Sequence, residues 1–487
     1  MRSTFLGLET ARRALVAQQR ALEVVGHNIA NAGTQGYVRR EPVLAATPGY
    51  VVETGAGFKR PGTVGTGVEM VRIKRVFDGF VESRIRQAGV SLGFWEGKSD
   101  ALSQVEAVFG EPSDTGLADA LTEFFAAWDE LSKRPESIAV RTALVEQAKT
   151  LASYFNNELS GLRELARDLD EGIATRVDEI NSLAREIAAQ NKEIVRITAI
   201  GNDPADLKDA RDVAIERLSR LINISAFETQ DGSVVVQVGS AELVRGDAAS
   251  ELRFESGTLP GEALDPGATE LGSQIVWAND GSPVEATGGE VGGLLQARNA
   301  DVTGYYKDVE QLVTTLADEV NQLHKDGYGI DDALTPTHGI DFFVYDAGHR
   351  TLSVNPDLDP DAGGDVAKVA AAAQPGLVGD GSVALAIAGL EDALTMGGDK
   401  VSFGGFYQQI VADVGTCARQ AAHMAQVHDA TLQQYTNNKD SISGVSIDEE
   451  MVNLMRYQRA YEAAARLTTA IDEMLDTLIN GTGIVGR

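Results

Sequence analysis

Two narrow apolar stripes frame the chain. Leu8, Ala11, Leu15, Gln18, Leu22, Val25 and Ile29 are spaced 3-4-3-4-3-4, a heptad seam kept over three repeats. Near the other end, Ile447, Met451, Leu454, Gln458, Tyr461, Ala465 and Thr468 follow 4-3-4-3-4-3, and Ile471, Met474 and Leu478 extend the stripe. Both patterns predict amphipathic helices. Gly33 lies just past the first, where a helix C-terminus favours glycine. Ser446 is placed to cap the second, with Glu449 as its capping-box partner. A helix with only such a seam seeks partner helices rather than a broad core. The two seams are therefore expected to pack on each other or on copies of the chain.

The middle is also helical. Residues 68–76 alternate like a strand. Helical periodicity then runs from Asp78 to Phe109, with a stop expected at Gly-Glu-Pro (110–112), and again over Leu117–Leu131. From Ile138 to Ile200 no strong breaker interrupts a stripe of Leu144, Leu151, Phe155, Leu162, Ile173, Ile180, Ile187 and Ile194. A helix of that length spans roughly 90 Å and implies an elongated molecule. After a helix over 205–220, residues 232–246 and 273–286 alternate between glycines and predict strands. A helix reaches to about Lys325. A short strand (342–345) and a short helix near 365–373 follow, and helical periodicity returns over 403–438. The expected fold is mainly α with an inserted β-rich (α+β) domain. It is elongated, with the N- and C-terminal helices paired into a composite coiled-coil stalk. The expected division is 1–60 with 441–487, 61–223 with 401–440, and an inserted domain at 224–400.

Charge sharpens this division. The chain of 487 residues carries a net charge of −30, which argues against nucleic acid as a partner. Residues 1–60 hold eight basic and four acidic side chains, whereas 224–400 hold 30 acidic and 8 basic. The acidity of that insert reads as outer-surface solubility. No apolar run reaches the ~18 residues of a membrane span. The charged start lacks the apolar core of a cleaved secretory signal. The single cysteine, Cys417, excludes an internal disulfide framework.

Candidate chemistry is sparse. Asp357, Asp359 and Asp361 mimic the first ligands of a calcium loop, but Ala362 and Lys368 stand where Gly and Glu are needed. They read as a solvated turn capping the next helix. His324 reads as a helix-end group, and GTVGTG (62–67) as a connector. No G-x-S-x-G or H-E-x-x-H occurs. No catalytic residue, cofactor or metal site is expected, so the chain reads as a non-enzyme.

One stretch is distinctive. Asn28-Ile29-x-Asn31, Thr34-x-Gly36-Tyr37 and Arg39 resemble the signature of flagellar rod, hook and junction proteins. Val38, Gln35 and Arg40 depart from it. Trp128-x-x-Leu131-Ser132-x-x-Pro135-x-Ser137-x-Ala139-x-Arg141 and Asn181 with Asn191 and Asp206-Leu207-x-x-x-Arg211-Asp212 narrow the resemblance. So do Gly292-Gly293-Leu294-Leu295-x-x-Arg298, Asn321-x-x-His324 and Ser443-Gly444-Val445-x-Ile447-Asp448-Glu449-Glu450. Together they resemble the flagellar hook-associated protein 1 family, colinearly over nearly the whole chain.

The resemblance implies a structural adaptor at the hook–filament junction, exported by the flagellar type III pathway and extracellular. Its implied partners are copies of itself in a ring, the hook protein, a second junction protein, and an export chaperone on the C-terminal helix. Neither nucleic acid nor membrane is among them. The terminal helices, lacking a partner within the chain, would order only on assembly. A hook or distal-rod protein, or an adhesin carried by 224–400, are the rival readings. The residues expected to carry assembly are Leu8, Leu15, Leu22, Val25 and Ile29 on the first helix and Asn28, Asn31, Gly36 and Tyr37 in the motif. On the last helix they are Ile447, Met451, Leu454, Tyr461, Ala465, Ile471, Met474 and Leu478. The motif's asparagines and glycines are expected to end the helix and turn the chain, leaving Tyr37 and the arginines to touch a neighbouring subunit.

Overall fold

The computed structural model describes residues 5–481, apart from 53–61, 111–115, 263–271, 331–338 and 399. Helix α1 (Phe5–Ala30) leads through a turn to β1 (Arg40–Ala46). Strands β2 (Tyr50–Val52) and β3 (Gly62–Val64) form a hairpin, and β4 (Val68–Arg75) returns antiparallel to β1, with a bulge between Val43 and Leu44. Helices α2 (Gly79–Phe109), α3 (Leu117–Lys133), α4 (Ile138–Ala199) and α5 (Ala205–Leu221) follow. Asp78 caps α2 through its carboxylate, and Gly110 ends it in the left-handed conformation. Glu111 and Pro112 of the expected stop lie outside the described residues.

Helix α4 is the spine. Its 62 residues correspond to about 93 Å of helix. Gly161 and Gly172 do not break it, because the stripe residues on either side are all buried. Two cores are built along it. The first packs Leu144–Leu169 of α4 against the second half of α2, α3, α7 (Thr303–Lys325), the β11–β12 hairpin (Phe343–Asp346, Thr351–Val354), α8 (Ser382–Ala388) and the first half of α9 (Phe403–Ser443). The second packs Ile173–Ala188 against α5, the antiparallel sheet β5–β8 (Ser225–Glu228, Val234–Val238, Ala241–Arg245, Ala248–Ala249), the β9–β10 ribbon (Leu252–Glu255, Gln274–Trp277) and α6 (Gly289–Gln296).

The expected division at 224 and 400 is therefore not a division of cores. Residues 224–400 contribute to both, and each core is completed by α4. The cores meet at a buried ion pair. Asp170, between Leu169 and Ile173, takes both Nε and Nη2 of Arg298, at 3.0 and 3.1 Å, within the π-helical turn 297–302 that links α6 to α7. Ser256 and Ser273 donate to the same carboxylate, so its lone pairs are used.

Strands reach the helices by a recurrent device. Asn156 accepts from the backbone N–H of Leu352 and donates to its carbonyl, both at 2.9 Å. Asn181 does the same for Leu252, Asn191 for Val234, Asn299 for Ser273 and Asn321 for Phe343. A carboxamide presents one donor and one acceptor with the spacing of a peptide group, so it substitutes for the neighbour a strand lacks at that residue.

His324, expected to cap or pack at the end of its helix, is packed there. It is buried, with Nε2 accepting from Ala370 N at 2.9 Å and Nδ1 donating to Ile340 O, which fixes a neutral ring that ties two loops together. Asp359 caps the short 3-10 turn 360–362 and, with Asp361, pairs with Lys149.

The terminal helices do have a partner inside the chain. Helix α10 (Ile447–Asn480) lies along α1, with Ala21, Val25 and Tyr457 at the centre of a small cluster flanked by Leu22, Ile29 and Leu454. On α1 the buried face is Ala11, Ala17, Ala21, Val24, Val25 and Asn28, turned about one position from the expected seam. Small side chains let the backbones approach, and the leucines flank the contact instead of filling it.

Candidate assembly site at the base of the stalk

The motif that ends α1 is a polar clasp. Asn28 is fully buried and repeats the carboxamide device, donating to Arg40 O (2.9 Å) and accepting from Arg40 N (3.1 Å). It also donates to Glu450 Oε2 at 3.0 Å and accepts the Tyr37 hydroxyl at 2.7 Å. Glu450, in the first turn of α10, is itself buried, and its second oxygen takes Arg39 Nε at 3.0 Å. Arg39 N donates to Ser443 O at the end of α9. One asparagine and one glutamate thus join the exit of α1, the start of β1 and the entry of α10.

The capping box expected at Ser446 is half formed. Its hydroxyl accepts from Glu449 N, but the Glu449 carboxylate turns outward to Arg39. Nor does Gly33 supply the left-handed residue of the turn. Gly36 does, with φ +77°, and a Cβ there would lie 2.2 Å from Val213 Cγ2. Glycine is required because the loop sits directly on α5.

A second layer binds the clasp to the spine. Arg40 pairs with Asp206 and Asp209 of α5, and Arg75 of β4 pairs with Asp209 (2.6 Å) and Asp212 (2.8 Å). Arg40 also stacks over Tyr37, 5.0 Å from the ring centroid. Burial pushes the Tyr37 hydroxyl up to about 12, which keeps it a donor to Asn28. Lys439 of α9 reaches Glu82 at 2.9 Å, joining α9 to α2 beside the clasp.

The site residues therefore divide. Asn28, Gly36 and Tyr37, with Arg39 and Arg40, are engaged within the chain rather than held out to a neighbour. Asn31 closes the turn on His27 O. Val25 and Ile471 are buried between α1 and α10, while Leu8, Leu15, Leu22, Ile29, Leu454 and Ala465 are half-buried along that contact. Ile447, Met451, Tyr461, Met474 and Leu478 are exposed. The residues not foreseen are Ala17, Ala21 and Tyr457 in the helix contact, and Arg75 with Asp209 in the clasp. Their partners lie too far away in sequence for spacing to reveal them.

Known proteins fit this architecture. The model of the flagellar hook-associated protein FlgK helical domain matches residues 102–343. That of the flagellar basal body rod FlgEFG protein C-terminal region matches 438–481, and that of the flagella basal body rod protein matches 8–37. The last two carry the halves of the clasp. Flagellar hook-associated protein 1 of Bacillus subtilis is 29% identical over the full length of both chains. Its namesake in Escherichia coli is 25% identical over 97% of this chain and 99% of its own. The solved structure of the flagellar hook junction protein FlgK from Burkholderia pseudomallei superposes with a TM-score of 0.60 at 16% identity, covering 74% of this chain and all of that one, and shows the same fold. With the rod-family motifs at its two ends and the helical-domain match between them, the chain belongs to the flagellar hook-associated protein 1 family, a family of structural flagellar components.

Proposed function

We propose that the chain is the adaptor subunit on which the filament is assembled at the hook–filament junction, acting without catalysis. The observation that supports this reading most is the likeness to hook-associated protein 1, colinear over the whole length of both chains. A component of the flagellum interacts with other flagellar components. The finer partners belong to this proposal: copies of the chain in a ring, the hook protein on one side, a second junction protein on the other, and an export chaperone holding α10 beforehand. The outward residues of α10, Ile447, Met451, Tyr461 and Met474, suit a role as contacts to copies, because α1 leaves them uncovered. Export by the flagellar type III pathway and an extracellular position follow from the same reading. The rival adhesin reading lacks a module, because 224–400 has no core separate from α4.

Deleting the gene in the bacterium that encodes it tests the proposal. Electron microscopy is expected to show hooks without filaments, with flagellin shed into the medium. Filaments of normal length on those hooks overturn it.

A further inference from the structure

Strand β4 carries an uncovered surface that its alternation does not explain. Val71 and Ile73 are 59% and 38% exposed, and Arg72 and Lys74 between and beside them are exposed too. Val71 is the residue left over at the bulge, since Leu44 pairs with Met70 and Val43 with Arg72. Met70, Val71, Arg72 and Ile73, with Arg20 of α1, Arg40 and the turn Ile197–Leu207, line a groove of about 600 Å³, and Lys74 lies beside it. The two acids of its wall, Asp203 and Asp206, are already paired with Lys208 and Arg40. Among the described residues Arg20, Arg72 and Lys74 form no ion pair, in a chain with 72 acidic and 42 basic residues. An apolar floor with a basic rim suits an acidic, apolar occupant.

The chain itself carries such a strip. From Leu467 to Asn480, α10 holds Asp472, Glu473 and Asp476 and no basic residue. Met474 and Ile479 there are 58% and 71% exposed. Within one chain the strip and the groove stay apart. Ile471 is seated at Gly7, near the start of α1, whereas Met70 of the groove packs in the cluster around Val25 and Tyr457. From Tyr457 to Asp476 is about 28 Å of helix. We propose that the groove between β4 and the α4–α5 turn receives the acidic C-terminal strip of α10 from a second copy. This rests on the reading of the chain as a subunit that assembles with copies of itself. It adds which two surfaces meet, and a reason why molecules of net charge −30 associate at this point.

Isolated flagella provide the test. In the encoding bacterium the gene is replaced by a Cys417→Ser form carrying Arg72→Cys together with Asp476→Cys. A short bis-maleimide is expected to link this chain into dimers and higher multiples, and neither single-cysteine form is expected to do so. Chain present in the flagella but not linked, or Arg72→Cys linked instead to another protein, overturns the inference. In a second experiment Arg72→Glu with Lys74→Glu lowers incorporation by about tenfold, through like-charge juxtaposition. Adding Glu473→Lys and Asp476→Lys restores most of it, and failure to restore also overturns the inference. Absence of the unsubstituted chain from flagella would instead sink the adaptor reading.

Discussion

Helix α4 and the α1–α10 pair are both long amphipathic helices, yet they are held by different physics. Along α4 the stripe from Leu144 to Ile194 is buried on two continuous cores, with Phe155, Trp128 and Phe342 among the largest buried side chains of the first. Between α1 and α10 the buried side chains are mostly alanine and valine, and the only aromatic among them is Tyr457. Apolar burial is proportional to area, so the spine carries much more of the stability than the terminal pair does. To its small apolar area the pair adds the clasp, where Asn28 and Glu450 link Arg39, Arg40 and Tyr37 through buried hydrogen bonds. The base of the molecule is thus expected to open as a unit before the spine unfolds.

The largest expected effect lies in the spine. Trp128→Ala should lower the stability of the stalk by about 3–5 kcal/mol, read as a fall in the thermal midpoint of the purified chain. An unchanged midpoint would show that the first core is not the main source of stability. Next comes the clasp. Glu450→Ala leaves Arg39 only the exposed Glu449 and removes the acceptor of one Asn28 donor, a cost of about 2–3 kcal/mol. The cost should appear as faster hydrogen exchange and protease cleavage within α1 and α10, with the stalk midpoint unmoved. A midpoint that falls in step would mean the two regions form one cooperative unit.

Smaller again are Leu22→Asp and Leu454→Asp, each giving up half-buried apolar surface beside Tyr457, of the order of 1–2 kcal/mol. Either variant should fail to incorporate into flagella although its middle remains folded. Normal incorporation would remove the terminal pair from the assembly argument. The smallest effect concerns pH. The Tyr37 hydroxyl is raised from 10.0 to about 12 by burial, so its contribution is fully present below pH 10 and is lost as pH rises through about 12. Docking of α1 should weaken across that window. Tyr37→Phe, which gives up one hydrogen bond of about 1 kcal/mol, should flatten the dependence measured by hydrogen exchange.

Which parts were legible follows from how far apart the partners lie. The helix over 138–200, the cap at Ser446 and the strands within 232–246 depend on spacing within a few turns, and the chain displays that spacing directly. The asparagines were visible as motif letters, but their role was not. A helical asparagine looks like a weak helix former until the strand it completes, some 20 to 200 residues away, is placed beside it. The same holds for Asn28 and Glu450, which are separated by 422 positions.

By itself, then, the sequence determined the long helices and the family, because periodicity, capping and motif order are properties of neighbouring residues. Only the tertiary structure decided that residues 224–400 complete the cores of α4 instead of forming their own. It also decided that α1 turns its alanines, not its leucines, to α10, and that the motif arginines close on the chain's own acids. Those outcomes depend on which surfaces fit at close range, and the fit of surfaces distant in sequence is settled only when the chain has folded.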